Sequence, residues 1–152
     1  MITLLNAPVG NLGEFSLGER TVERIELESD ALAKRIIRFS TSVGDFGLRF
    51  EGEARLRDGD ILFADEERVI AVQVRADDVL VAAPRTIAEA LRLAHALGNR
   101  HLPIQIEGDL LIARFDPLIA ELCAEHGVAA RREQRVLREP FRHARAPHRH
   151  DE

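Results

Sequence analysis

The stretch "TIAEALRLAHALGNRHLPIQI", residues 86–106, decides the fold of the second half of this 152-residue chain. Thr86, followed three residues later by Glu89, forms the capping box that starts a helix. Apolar residues at spacings of three and four predict one buried helix stripe, made of Ile87, Ala90, Leu91, Ala94 and Leu97. Gly98 predicts the left-handed residue that ends the helix. The strand pattern "LPIQI" follows at once, so the stretch predicts a helix that leads directly into a strand.

The segments around this stretch complete a βαββαβ order. They are the strand "VLVAAP" (79–84), the strand "LLIAR" (110–114), the helix "DPLIAELCAEHG" (116–127) and the strand "VAARREQRVL" (128–137). In the second helix Asp116 is the cap, Pro117 lies in the first turn, and Gly127 ends the helix. The turn "EGD" joins the two middle strands as a hairpin. This order is the ferredoxin-like split motif.

Residues 1–76 carry short strand patterns and no sustained helical period. The strand candidates are "TVERIELES" (21–29), "KRIIRFS" (34–40), "FGLRF" (46–50), "DILFA" (60–64) and "RVIAVQVR" (68–75). Turn signals such as Asp58-Gly59 separate them. We therefore predict an α+β protein with three parts: a small all-β sandwich or barrel over residues 1–76, a ferredoxin-like domain over 77–140, and a flexible, histidine-containing tail over 141–152.

Composition narrows the possible functions. Charged residues make up 31% of the chain and apolar residues 45%, as in an ordinary globular protein. The net charge of -5 predicts no nucleic-acid partner, and no apolar run approaches the roughly 18 residues that span a bilayer. The N-terminus lacks a signal-peptide pattern, which favours a cytoplasmic location. There is no phosphate-binding loop, nucleophile elbow or paired-cysteine motif, so we do not expect an enzyme.

Histidines are the candidate chemical groups, and all six follow residue 94. His101 follows the end of the predicted helix and precedes Pro103 by two residues. Because Pro103 restricts Leu102 to an extended backbone, the His101 side chain has a fixed direction. Three more, His143, His148 and His150, lie on the tail, where interspersed imidazoles can wrap around a metal ion. A helix-end dipole is the alternative explanation for His101.

The remaining candidates have simpler explanations. His95 is expected on a helix surface, and His126 in the last turn of the second helix, where the helix dipole favours a cation. Cys123 falls on the Leu118, Ile119 and Leu122 face and is expected to be a small core residue. A small enzyme that uses His101 with Cys123 or Asp116 is a third hypothesis, but no spacing supports a pocket that would hold these groups.

Two motifs carry a family resemblance. The segment "LRLAHALGNRHLPIQI" with its "LGNRH-x-P" core, the following hairpin and helix, and the closing "EPF" resemble the UreE family of urease accessory proteins, which are nickel metallochaperones. The segment "LRDGDIL" (56–62) also matches, and the order of a β-rich part and a ferredoxin-like part agrees along most of the chain. The first thirty residues match only loosely.

The resemblance implies a homodimer joined through the second domains, with His101 of each protomer as the interfacial Ni²⁺ ligand. It also implies that the first domain resembles a peptide-binding domain. The expected partners are the urease apoprotein, which would receive the nickel, and the urease accessory proteins, including the GTPase. A metal-independent adaptor that works through its β domain is the alternative function.

Two differences from the family pattern limit how many metal sites we expect in this protein. The exit of the third strand carries Arg114, Phe115, Asp116 and Pro117 where several relatives have extra histidines, so an auxiliary site is not expected. The tail holds three histidines, which suits delivery of a single ion better than storage. Imidazole also binds Zn²⁺ and Cu²⁺, and the residues do not rank these ions against Ni²⁺.

Overall fold

The computed structural model describes residues 1–141 of the chain. The described residues form eleven strands, two α-helices and one 3₁₀-helix. Contacts group the chain into two compact units: Met1–Ala76 with Val136–Pro140, and Asp77–Arg135 with Phe141. The sequence pattern places residues 136–140 at the end of the second domain, whereas their contacts group them with the first unit. The predicted flexible tail lies outside the described residues, apart from Phe141.

The first unit consists of two β-sheets and a 3₁₀-helix at Ser29–Ala33. One sheet has the strand order β1 (Ile2–Leu5), β5 (Gly44–Arg49) and β4 (Ile36–Thr41). The other has the order β2 (Gly10–Asn11), β6 (Asp60–Ala64), β7 (Arg68–Val74) and β3 (Thr21–Leu27). Both contain one parallel pair, β1 with β5 and β3 with β7. The predicted all-β first part is confirmed.

The core of the first unit lies between its two sheets. Inward-facing residues come from both: Phe39, Phe46 and Leu48 from the three-stranded sheet, and Leu62, Ile70 and Val72 from the four-stranded sheet. Alternating side chains of strands point to opposite faces, so each sheet turns one apolar face toward this core. The four-stranded sheet also buries Ile61, Val69 and Ala71 in a second, smaller cluster. The unit is therefore a small sandwich, one of the two arrangements that the strand pattern predicted.

The acidic turn "RDGD" has a structural function. Gly59 adopts a left-handed backbone with φ 80°, and Asp60 is buried. The Asp60 carboxylate accepts hydrogen bonds from the Arg57 amide at 2.7 Å and the Asn11 side-chain amide at 3.0 Å. Asp58 accepts one from the Val74 amide at 2.8 Å. Since backbone and amide donors satisfy these carboxylates, the turn ties β2, β6 and β7 together.

The second unit is a four-stranded antiparallel sheet with both helices on one face. Its elements in chain order are β8 (Asp77–Ala83), α1 (Ile87–Asn99), β9 (Ile104–Glu107), β10 (Leu110–Arg114), α2 (Pro117–Glu125) and β11 (Ala129–Arg135). The strand order across the sheet is β11-β8-β10-β9, and each neighbouring pair is antiparallel. This is the ferredoxin-like arrangement that the βαββαβ order predicted.

The helices bury a narrower stripe than the sequence predicted. Leu93 and Leu97 of α1 are fully buried against the sheet, with the nearby alanines packed around them. Ile87 and Leu91, predicted to lie on the same buried stripe, are 80% and 65% exposed. In α2, Leu118 is 60% exposed, although it was predicted to share the core face of Cys123. Helix α1 has more apolar positions than one face can bury, so a second apolar stripe stays on the surface.

Candidate metal site

The turn that carries His101 is built by hydrogen bonds at the end of α1. The backbone N–H of Leu102 donates to the Leu97 carbonyl at 3.2 Å, and that of His101 donates to the Gly98 carbonyl at 3.0 Å. This pair of bonds is the Schellman motif, which satisfies the last carbonyls of a helix. Leu97 and Leu102 pack in the same core cluster, which supplies the apolar contact that accompanies the motif.

The left-handed residue of this turn is His101, with φ 56°, so the prediction that Gly98 takes this position is wrong. Gly98 is part of α1, which continues to Asn99. The reason is the apolar contact: once Leu102 packs against the helix end at Leu97, the residue before Leu102 must turn left-handed. His101 is the only non-glycine residue with positive φ among residues 1–141.

His101 is exposed, and it lies at the end of the sheet where β9 begins and β10 ends. Ile104, the first residue of β9, pairs with Ala113 near the end of β10. A small hollow of about 270 Å³ between the two segments is lined by Arg100, Leu102, Asp116, Leu118, Ile119 and Leu122. The imidazole therefore stands on a turn that is fixed on the core side and open to the surface.

The exit of β10 contributes packing and capping contacts. Arg114 places its guanidinium 5.4 Å from the centre of the Phe141 ring, and Arg132 lies 3.8 Å from the centre of the Phe115 ring. The Asp116 carboxylate accepts a hydrogen bond from the Leu118 amide at 2.8 Å and so caps α2. The residues at this exit therefore have packing and capping roles.

The contacts of His95, His126 and Cys123 give each of these residues a structural explanation. His95 is exposed on α1 with its Nε2 3.1 Å from the Asn99 side-chain amide. His126 is the C-cap of α2, and its backbone N–H donates to the Leu122 carbonyl at 3.1 Å. Cys123 is 1% exposed, and burial raises the pKa of its thiol. Cys123 is a small residue of the core, as the sequence pattern predicted.

The tail histidines His143, His148 and His150 lie outside the described residues. Within residues 1–141, no three side chains of His, Cys, Asp or Glu lie close enough together to hold a metal ion. Neither of the two helices in this range is long and apolar enough to cross a membrane. Of the four predicted metal ligands, the structure thus describes His101 alone.

One surface of the second unit was missed in the sequence. Ile106 of β9 is 72% exposed, and together with exposed Ile87 and Leu91 of α1 it forms an apolar surface on the second unit. A hollow of about 350 Å³ lies between the start of α1 and the β9–β10 hairpin, where these three side chains form part of the lining. The signal in the sequence was the excess of apolar residues on α1, which we interpreted as a single buried stripe.

Two family models cover most of the chain. The model described as "UreE urease accessory protein, N-terminal domain" matches residues 7–75, and the corresponding C-terminal domain matches residues 68–152. The chain belongs to the UreE family of urease accessory proteins. The resemblance that the "LGNRH-x-P" core and "LRDGDIL" carried is confirmed.

Relatives within the UreE family match over nearly their whole length. The urease accessory protein UreE of Corynebacterium efficiens is 41% identical over 143 residues, which are 92% of this chain and 96% of that protein. The UreE of Bacillus cereus is 36% identical over 149 residues, 97% of this chain and 99% of that protein. The UreE of Staphylococcus aureus is 39% identical over 145 residues, with 93% and 95% covered.

Proposed function

We propose that this UreE family member is a nickel metallochaperone: a homodimer that binds one Ni²⁺ between two copies of His101 and delivers it to apo-urease. The single observation that carries the metal site is the left-handed backbone of His101 at an exposed turn. Family membership supports the role in urease maturation. In this proposal the protein is not an enzyme, because the ion is its cargo.

The conformation of His101 supports a ligand role because it carries a cost. A left-handed backbone disfavours a side chain with a Cβ by about 1–2 kcal/mol, and glycine is the usual residue at this position of a Schellman turn. A histidine kept there needs a compensating function, since strained backbone conformations concentrate at functional sites. Metal binding by an exposed imidazole on a rigid turn is such a function, because neutral imidazole is a ligand for Ni²⁺, Zn²⁺ and Cu²⁺.

A two-fold dimer supplies the second ligand. Two-fold symmetry places the same patch of each protomer against the other, so a residue near the axis occurs twice. The exposed apolar surface formed by Ile87, Leu91 and Ile106 belongs to the same unit as His101 and supports an interface on this unit. Two imidazole nitrogens bound to one ion lie at most about 4 Å apart, so His101 must lie close to the axis.

The tail histidines complete the coordination shell in this proposal. Two imidazoles hold a divalent ion weakly, and His143, His148 and His150 are the further imidazoles that the chain offers. Ligands on a tail can leave the ion as easily as they bind it, which suits transfer. Zn²⁺ and Cu²⁺ are expected to compete, because ligand type alone does not favour nickel.

The proposed partners follow from the family role. The ion passes to the urease apoprotein in the cytoplasm with the help of the other urease accessory proteins, including the GTPase. The β-rich first unit is the part that we propose contacts this assembly, and the second unit is the part that carries the metal. This division assigns one task to each compact unit of the chain.

The test is Ni²⁺ binding by calorimetry and equilibrium dialysis on the full-length protein and on His101→Asn. Asparagine also tolerates the left-handed conformation, so this variant keeps the turn and loses the imidazole. We expect one tight ion per dimer for the wild type and at least about a 100-fold loss of affinity for His101→Asn. His126→Asn, at the end of the other helix, is the matched control and should bind like the wild type.

Tight binding that survives in His101→Asn would contradict the assignment of the ligand. A wild type that retains no stoichiometric metal would favour the adaptor function. Ending the chain after Phe141 tests the tail separately: we expect unchanged folding and dimerisation with weaker Ni²⁺ affinity. Equal affinity with and without residues 142–152 would remove the tail histidines from the coordination shell.

A further inference from the structure

The three-stranded sheet of the first unit exposes apolar side chains on its outer face. In β1, β4 and β5, the residues that alternate with the inward-facing ones point away from the sandwich core. Three of these outward residues are large and apolar: Ile2 is 40% exposed, Leu4 81% and Ile36 62%. Single apolar residues on a surface are ordinary, whereas several on one sheet face indicate a contact with another molecule.

Gly47 makes this outer face flat. It lies in β5 between its register partners, Leu4 of β1 and Arg38 of β4. A Cβ added at Gly47 would lie 3.1 Å from Leu4 Cδ2 and 3.5 Å from Ile2 Cγ2. The glycine therefore allows both apolar side chains to lie against the backbone of β5, which produces a low apolar surface.

Basic side chains border this apolar surface. The segment 34–49 holds four basic residues and one acidic residue, whereas the rest of residues 1–76 holds six basic and thirteen acidic residues. Arg38 and Arg49 lie on the outer face and are exposed. Within residues 1–141, neither arginine forms an ion pair with a carboxylate. Asp45, the acidic residue, lies on the same face near the turn between β4 and β5, so the two guanidinium groups are free to bind carboxylates of another molecule.

We infer that the outer face of the three-stranded sheet binds an acidic surface of a partner protein that also exposes apolar side chains. This inference rests on the proposed function, because it names the surface through which the first unit contacts the urease assembly. Arginine is enriched in protein interfaces, and complementary charges accelerate association and select the partner. The apolar side chains between the arginines supply affinity when the contact buries them.

The experiment measures binding of the full-length protein to the purified urease apoprotein with its accessory proteins, by surface plasmon resonance at several salt concentrations. We expect Arg38→Glu to weaken binding about 10-fold, because it places a carboxylate against the carboxylates of the partner. This effect should shrink as salt screens the charges. Leu4→Ser should weaken binding about 10-fold at every salt concentration, because it removes apolar area from the contact.

Arg24→Glu is the matched control. Arg24 is an exposed arginine of β3, in the other sheet of the same unit, so the variant changes the net charge by the same amount at a different surface. It should bind like the wild type, and all three variants should keep the wild-type unfolding temperature. Equal losses in Arg24→Glu and Arg38→Glu would show a general effect of charge and overturn the inference. Loss of the dimer in Arg38→Glu or Leu4→Ser, measured by sedimentation equilibrium, would assign the face to a second copy of the chain and also overturn it.

Cross-linking gives an independent readout. Lys34 is the only lysine of the chain and precedes Ile36 by two residues. A carbodiimide joins an amine directly to a carboxylate, so Lys34 should become linked to Asp or Glu residues of the urease assembly, which mass spectrometry identifies. If the assembly binds the wild type and both outer-face variants equally, this face fails and the proposed function stands. If the wild type does not bind the assembly, the face and the proposed role of the first unit both fail, while Ni²⁺ titration still decides the metal site.

Discussion

The two helices of the second unit end in the same turn with different residues at its centre. At the end of α2, the Val128 amide donates to the Cys123 carbonyl at 2.9 Å, and the Gly127 amide donates to the Ala124 carbonyl at 3.0 Å. The end of α1 has the same two bonds, with His101 in the place of Gly127. The left-handed φ values are 66° for Gly127 and 56° for His101. Hydrogen bonding and backbone geometry therefore match, and only the side chain differs.

This difference distinguishes the residue that the turn itself favours from the residue that we propose is kept for metal binding. Glycine is the residue that the turn favours on physical grounds, and α2 has it. At α1 the same turn carries an exposed imidazole at a cost in backbone energy. Because both turns belong to one unit, each serves as the reference for the other. Exchanging and removing the two residues therefore tests whether His101 is kept for its side chain.

The largest effect is expected from exchanging the two residues. The double variant His101→Gly with Gly127→His keeps the composition of the protein and moves the imidazole to the end of the other helix. We expect at least about a 100-fold loss of Ni²⁺ affinity by calorimetry, since a correctly shaped turn at the wrong place does not meet its symmetry mate. Wild-type affinity in the exchanged protein would show that the position of the histidine does not matter.

Gly127→Ala should destabilise the protein by about 1 kcal/mol. A Cβ at Gly127 would meet no atom within 4 Å, so the cost comes from the left-handed backbone and not from a collision. Urea unfolding of the variant and the wild type measures this cost. If the urea midpoint and the slope of the unfolding curve are the same for both proteins, the α2 turn tolerates a side chain at no cost. The left-handed backbone of His101 would then not support a functional role.

His101→Gly should stabilise the protein by about 0.5–1 kcal/mol while it removes the proposed metal ligand. Relief of the left-handed strain is worth about 1–2 kcal/mol, and the greater freedom of glycine in the unfolded chain offsets about 0.5–1 kcal/mol of that. The measurement is urea unfolding without added metal. A destabilised variant would show that the His101 side chain makes contacts that hold the turn, which would argue for a structural role.

The smallest effect is expected from removing an exposed ion pair that lies outside both turns. Its size is the baseline against which the effects of the helix-end variants are compared. The Asp78 carboxylate accepts hydrogen bonds from Arg132 at 2.7 and 2.9 Å, and this pairing lowers the pKa of Asp78. The stabilisation is therefore present above the ordinary carboxyl pKa of about 3.9 and is lost as the pH falls below it. Solvent screens the pair, so the contribution is small.

Unfolding of the wild type and Asp78→Asn between pH 2 and 6 measures this contribution. The variant should lose less stability than the wild type as the solution is acidified, and the two proteins should differ most near pH 6. Parallel curves over the whole range would show that the ion pair contributes nothing. In either case the helix-end variants should keep their order at neutral pH, because their effects come from backbone conformation.

Local sequence signals predicted the second unit well because its elements are bounded by residues with specific backbone preferences. Thr86 accepts a hydrogen bond from the Glu89 amide at 3.1 Å, and Asp116 caps α2, as their positions predicted. Gly127 is left-handed, as predicted. In the first unit, the parallel pairing of β1 with β5 was not foreseen. That pairing joins segments about forty residues apart, and no local pattern reports such a partner.

The sequence by itself determined the α+β class and the order of the ferredoxin-like unit, and it singled out His101 as the candidate ligand, since periodicity, caps and the "LGNRH-x-P" core are local properties of the chain. Tertiary structure decided which residue turns left-handed after α1 and which apolar residues of α1 stay on the surface. In the sequence, Gly98 and His101 both lie where the helix could end. The packing of Leu102 against Leu97 makes His101 the left-handed residue. Likewise, the sheet covers the face of Leu93 and Leu97 and leaves Ile87 and Leu91 exposed, because a helix on a sheet buries only the side that meets it.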